Sequence, residues 1–257
     1  MVLLDVWEFS HYEWGEAIDI VLWISAIISA VFALLLLASY LNSRKTEHLY
    51  WGISFALLWI NTHLGINSVL IERVGPSQVV TRGAGFWTFL EPVPAVFFAL
   101  TVGLFAVGLW KNVKPEKDKI GNYLLYYVIV MALAIGFFKN ENMITLLDTP
   151  AMLVPILVMA LHVPSAILII WLPLQTREEN GNSALMMSIA GVLMSLVGVL
   201  LAVATLDILT GVYLTGFIYV VLSVFPFVYL LAVMSFAWGT FVPKRWAFDI
   251  AGIELED

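Results

Sequence analysis

Residues 18–41 read IDIVLWISAIISAVFALLLLASYL, and the chain turns polar immediately afterwards, in NSRKTEH. Crossing about 30 Å of hydrocarbon takes roughly 20 helical residues, and this run is long enough to do so. It is continuously apolar rather than alternating, and a helix satisfies its own backbone groups in lipid, so a transmembrane helix is predicted over Ile18–Leu41. Further along the chain the same pattern recurs near Leu49–Ile71, Gly85–Trp110, Asn122–Phe138, Pro150–Leu174, Ala184–Leu206 and Val212–Trp238. The expected fold class is therefore all-α: a polytopic membrane helix bundle of seven transmembrane helices.

Composition points the same way. Apolar residues make up 61% of the 257 and charged residues 12%. Soluble domains average about 45–50% and about 25%, and could not hide this much apolar surface. Cysteine is absent, which excludes disulfides, thiolate metal sites, cysteine nucleophiles and iron–sulfur clusters on the chain's own thiolates. The net charge of −7 comes with no basic stripe to neutralise phosphates, so nucleic acid is not an expected partner.

The linkers read NSRKTEH, ERVGPSQVVTRGA, KNVKPEKDKIG, KNENMITLLDT, QTREENGNS and DILTG. None could hold a folded domain. Counted on alternating sides, Arg44, Lys45, Lys111, Lys114, Lys117, Lys119, Arg177, Lys244 and Arg245 share one side, against Arg73, Arg82 and Lys139 on the other. The positive-inside rule makes the richer side cytoplasmic. The expected order is then an extracytoplasmic N-terminal segment 1–17, a seven-helix transmembrane domain 18–242 and a cytoplasmic tail 243–257. The opening MVLLDVWEFSHYEW carries acid where a secretory signal carries Lys or Arg, so a retained first span is expected. Trp7, Trp14, Tyr50, Trp51, Trp87, Trp110, Tyr123, Trp171, Tyr213, Trp238 and Trp246 cluster at the boundaries, where amphipathic rings sit well. The cell (plasma) membrane is the expected location.

Ionisable residues inside spans are costly and are functional candidates by default. His63 lies in the second span, within Asn61-Thr62-His63 and four residues before Asn67, whose i,i+4 spacing shares its helical face. Glu91 lies in the third span and His162 in the fifth. At 1.5 Å per residue, His63 is about 21 Å from the inner end and Glu91 roughly 9 Å below the outer end, which matches their depths. His63, Asn67, Glu91 and Asn61 are therefore candidates for one outward-facing polar pocket, with Asp19, Asp148 and Asp207 as an acidic rim. The plainer reading is that such groups only join helices by hydrogen bonds. His162 is about 20 Å below the outer end and precedes Pro164, which frees the carbonyl of Ala160; its plainer reading is a hydrogen bond to a helix carbonyl.

Three functions compete on these residues. A haem-b-binding electron-transfer subunit needs two axial histidines, and His63 and His162 are the pair inside the bundle, at depths about 10 Å apart. A zinc hydrolase needs three protein ligands and an open position. The segment His11-Tyr12-Glu13-Trp14-Gly15-Glu16 has suitable types, but no HExxH or GxSxG occurs, and Trp7, His11 and Trp14 equally fit one face of an interfacial helix. No metal site and no catalytic residue is assigned. The preferred reading is a non-enzymatic receptor, sensor or small-solute- or ion-binding bundle, or an accessory subunit of a membrane complex.

Arg82 followed by Phe86-Trp87-Thr88-Phe89-Leu90-Glu91-Pro92 resembles the third helix of microbial rhodopsins, where an Arg precedes an acidic residue and Trp, with Pro five residues after the Trp. The resemblance covers about a dozen residues plus the seven-span topology, and implies that bundle fold. The departures are specific. Phe86 stands where the rhodopsin counterion would, and the seventh span, VYLTGFIYVVLSVFPFVYLLAVMSF, has no lysine for a retinal Schiff base. No covalent retinal is expected. Besides the lipid bilayer, a partner membrane or cytoplasmic protein is expected. The Lys-rich third loop, the acidic tail and a lipid-facing small-residue patch at Ser188, Gly191 and Ser195 are its candidate contacts.

Overall fold

The computed structural model describes residues 2–74, 92–139, 153–176, 184–196, 227–228 and 230–235; for 2–19, 22, 61–74, 92–95, 139 and 154–155 the description stops at the backbone. The described chain is helical. In order come α1 (Val2–Ser43), α2 (Thr46–Val74), α3 (Pro92–Val113), a 3-10 turn at Pro115–Lys117, α4 (Asp118–Lys139), α5 (Leu153–Gln175) and α6 (Ala184–Leu196). Residues 227–228 and 230–235, within the seventh predicted run, are also helical. Among the described residues, α1, α3, α4 and α5 each hold a stretch long and apolar enough to cross a membrane.

The predicted runs and the helices agree to within about four residues where both can be compared, except at the start. The expected boundary between residues 17 and 18 is not a break. α1 is one helix of 42 residues, about 63 Å long and twice the thickness of the hydrocarbon. The sequence before Ile18 contains no proline and a single glycine, Gly15, so nothing stops the helix there.

α1 ends in a two-residue turn. Arg44 has φ 57° and its N–H donates to the Tyr40 carbonyl at 2.8 Å, the left-handed cap that usually falls to glycine. Lys45 then leads into α2. Packing runs α1 on α2, α2 on α3, α3 on α4 and α5, and α4 on α5. α3 is the hub and the most enclosed of the membrane-length stretches. One side of it joins Leu36, Trp51, Phe55, Ile169, Met194 and Val233 in the larger core, and the other meets Val128, Ala132, Ile135 and Leu161. Its glycines permit close approach: a Cβ on Gly108 would strike the Trp51 indole nitrogen, and one on Gly103 would strike Val128. α4 is the opposite case, with Tyr123, Tyr126, Val130, Leu133 and Phe137 exposed at three- and four-residue spacing along a lipid-type face.

The small-residue patch on α6 is not a free surface. Ser188 and Gly191 are buried: Ser188 Oγ donates to the Ile170 carbonyl at 2.9 Å, and a Cβ on Gly191 would lie 2.8 Å from Ile169 Cγ2. Ser195 is half-buried and bonds within its own helix. The patch serves α5 of the same chain, because close helix approach places the smallest side chains at the tightest internal crossing.

Candidate functional site

Two clusters of polar groups stand out among the described residues, one at the turn end of the bundle and one around His162. At the turn end, Lys111 in the last turn of α3 pairs with Asp118 in the first turn of α4, donates to Asn122 Oδ1 at 2.9 Å and lies 5.8 Å from the Tyr50 ring on α2. A cation at a helix C-terminus and an anion at the next N-terminus both suit the helix dipoles. The α1–α2 turn and the α3–α4 corner therefore lie at one end of the bundle, and most of the described basic residues lie with them.

His48 at this end was not singled out from the sequence. It reads as one polar residue among NSRKTEH, yet it is buried, with Nδ1 2.8 Å from Ser39 Oγ and 3.3 Å from Ser43 Oγ. The available signal was Ser39, which a tight turn after Ser43 brings alongside. Burial pushes the imidazole below its ordinary value of 6.5, partly offset by Glu47. The folded chain thus resists protonating His48. Its contribution to stability is full above about pH 6.5 and is lost as pH falls through the lowered folded value. We expect the unfolding temperature to fall on acidification from pH 7 to 5, and His48→Gln to remove part of that fall. A variant with an unchanged pH profile would show that His48 does not contribute.

The second cluster is mid-bundle. His162 on α5 is 3% exposed, and its ring stacks on Phe98 of α3 with centroids 5.0 Å apart. Nδ1 lies 3.1 Å from the Val158 carbonyl one turn back, the helix-carbonyl bond expected for it. Pro164 leaves Ala160 without its helical N–H donor, and Tyr127 of α4 supplies a hydroxyl to that carbonyl at 2.6 Å. The gap opened by the proline is thus filled from a neighbouring helix.

The residues predicted for the pocket are described only in part. Glu91, Asp148 and Asp207 lie outside the described residues, and for Asp19, Asn61, His63 and Asn67 the backbone alone is described. Their levels follow from their helices. Thr101 Oγ1 lies 3.5 Å from the Ser54 carbonyl. The two helices run antiparallel, so nine residues on from Ser54, about 13 Å further, His63 is level with Pro92, the first residue of α3. Phe98, the partner of His162, lies about 9 Å deeper than Pro92. On α1, Leu37 lies against Gly52, which puts Asp19 level with Leu70, about 10 Å beyond His63. Asn67 shares the His63 face by spacing, whereas Asn61, two positions earlier, is about 160° round the helix. Among the described residues no group of three His, Asp or Glu is placed to hold a metal ion. Comparison with family models, curated proteins and solved structures finds no match to this chain.

Proposed function

We propose that the chain is a non-enzymatic, seven-span membrane protein, amino terminus outside and carboxyl terminus inside, that takes a small solute or ion in a polar pocket built on His63, Asn67 and Glu91. The observation that supports it most is the α2–α3 register. Position 91 immediately precedes Pro92, and Pro92 is level with His63. His63 is thus level with the residue that follows Glu91 in the sequence, and two ionisable residues predicted at one depth in lipid are an expensive coincidence unless they serve each other or a ligand. The basic turns at the other end suit a cytoplasmic face, and the pocket then opens outward with Asp19 on its rim. In this reading the protein is a receptor or sensor, or a solute-binding accessory subunit, and passes its signal to a partner membrane or cytoplasmic protein in the cell membrane.

The absence of cysteine makes the test clean. With His63→Cys and Glu91→Cys in one chain, a short bifunctional thiol reagent is expected to link the two positions. An impermeant thiol reagent is expected to label Asn67→Cys in intact cells. Singles that label while the pair does not link would remove the pocket, and labelling of Asn67→Cys only after permeabilisation would reverse the orientation.

One observation favours haem b as a second reading. His162 engages Nδ1 with a carbonyl and leaves Nε2 unpartnered, as axial histidines do. Against it, the register sets His63 about 9 Å from the His162 level. An absorption spectrum without a Soret band would remove it.

A further inference from the structure

The exposed residues of α4 form one straight stripe. Tyr123, Tyr126, Val130, Leu133 and Phe137 follow one another at spacings of three and four, while Val128, Ala132 and Ile135 on the opposite side are fully buried. One step of four before Tyr123, on the same line, stands Lys119, which is also exposed. The lipid-type face of α4 therefore begins at a cation. The other long exposed faces do not. α1 and α5 each carry exposed apolar side chains over most of their length, and neither has a basic residue in its last turn. Arg44, just after α1, lies over the Tyr40 ring at 5.9 Å.

The charge around Lys119 is not cancelled by its neighbour. Asp118 is about 100° round the helix from it, and both carboxylate oxygens are engaged, Oδ1 with the Lys111 ammonium of α3 and Oδ2 with the Asn122 amide, which donates to it at 3.2 Å. Lys114 and Lys117 occupy the same corner, and Glu116 is the remaining acid there. The turn that carries them is fixed: the Lys117 N–H donates to the Lys114 carbonyl at 3.0 Å, and the Trp110 indole N–H donates to the Lys117 carbonyl at 3.3 Å. From Lys119 to Leu133 is about 21 Å along the helix, more than the roughly 15 Å of one leaflet's hydrocarbon. The stripe thus offers ammonium groups at its head, two phenol rings below them and an apolar track beneath.

We infer that the outer face of α4 binds an anionic phospholipid, with the phosphate at Lys119, Lys117 and Lys114 and an acyl chain along Tyr123–Leu133. Basic residues beside a membrane-spanning helix attract anionic headgroups. A zwitterionic lipid brings its own cation to the same place and gains less. The Tyr123 hydroxyl, one turn below Lys119, can donate to a phosphate or ester oxygen. The inference rests on the apolar, membrane-type character of the chain and is independent of the pocket proposed at His63.

The test offers the full chain phosphatidylglycerol and phosphatidylcholine with identical acyl chains, and counts retained lipid by native mass spectrometry. Phosphatidylglycerol should be preferred. Lys119→Gln should reduce the preference about fivefold, the effect of one lysine near an anionic surface, and Lys119→Arg should keep it. Lys45→Gln, at the same end of the bundle but off the stripe, should leave it nearly unchanged. In nanodiscs, phosphatidylglycerol with a diazirine in its acyl chain should mark α4 between Tyr123 and Leu133 more than the exposed faces of α1 and α5. Equal retention of the two lipids overturns the inference. So does a Lys45→Gln loss as large as that of Lys119→Gln, which would mean diffuse surface charge, or labelling spread evenly over the three helices. A dimer in the same spectra with α4 unlabelled would assign the face to a second copy and overturn it as well.

Discussion

Trp51→Ala is expected to destabilise the bundle by about 3 kcal/mol, the low end of the range for truncating a buried tryptophan. Trp51 is 1% exposed, stacks on Phe105 at 5.8 Å and donates its indole N–H to the Phe105 carbonyl at 3.3 Å. It is the side chain through which α2 grips α3. The low end applies because separated helices would still lie in lipid, so the transfer from water is not regained and the loss is packing, cavity and hydrogen bond. Gly108 is the complementary half of the joint, since a Cβ there would strike the same indole. Gly108→Ala should therefore be harmful in the parent and milder in the Trp51→Ala background. Unfolding in mixed micelles measures both. A Trp51→Ala loss below about 1 kcal/mol would mean that the α2–α3 joint is held elsewhere.

Gly191→Val is expected to cost about 2–3 kcal/mol, near the upper end for overpacking. The added Cβ would lie 2.8 Å from Ile169 Cγ2, 3.0 Å from Ile170 Cγ1 and 3.2 Å from the Ile169 backbone carbon. Side chains can turn aside, but the backbone atom cannot. Movement of α6 away from α5 would also break the Ser188 bond to Ile170. Were the patch a docking surface for another protein, the substitution would spare the monomer and abolish association. A folded, equally stable Gly191→Val protein would restore that interpretation.

The helices were legible because apolar length is a one-dimensional signal. Leu49–Ile71 and Pro150–Leu174 fall on α2 and α5 with modest changes at the ends, and Ile18–Leu41 falls within the longer α1. The continuity of α1 through residue 17 was less visible, since polarity marks where lipid ends and not where a helix ends. The direction taken by the α6 small residues was not legible either. Small spacing signals close approach, and nothing in Ser188, Gly191 and Ser195 says whether the approaching helix belongs to the same chain. His162 was found because a lone imidazole in an apolar run stands out; its stacking partner Phe98 was not, and neither was Tyr127, which serves the Ala160 carbonyl, since both are ordinary residues of their own spans. His48 was overlooked because a histidine among charges looks solvated. Its burial depends on a turn whose tightness rests on Arg44 adopting a conformation that sequence patterns assign to glycine.

The enclosure of α3 also constrains biogenesis. A chain emerges amino terminus first, so α3 leaves the insertion machinery after α1 and α2 and before α4 and α5 are made. Its Trp51-facing side is matched in part by α1 and α2 and waits for Ile169, Met194 and Val233, and the side that meets Val128, Ala132 and Leu161 waits for α4 and α5. Until they arrive, Gly103 and its neighbours present to lipid a surface shaped for protein. A nascent chain halted after Val113 should therefore remain with a membrane chaperone or insertase, and release should coincide with synthesis of α5.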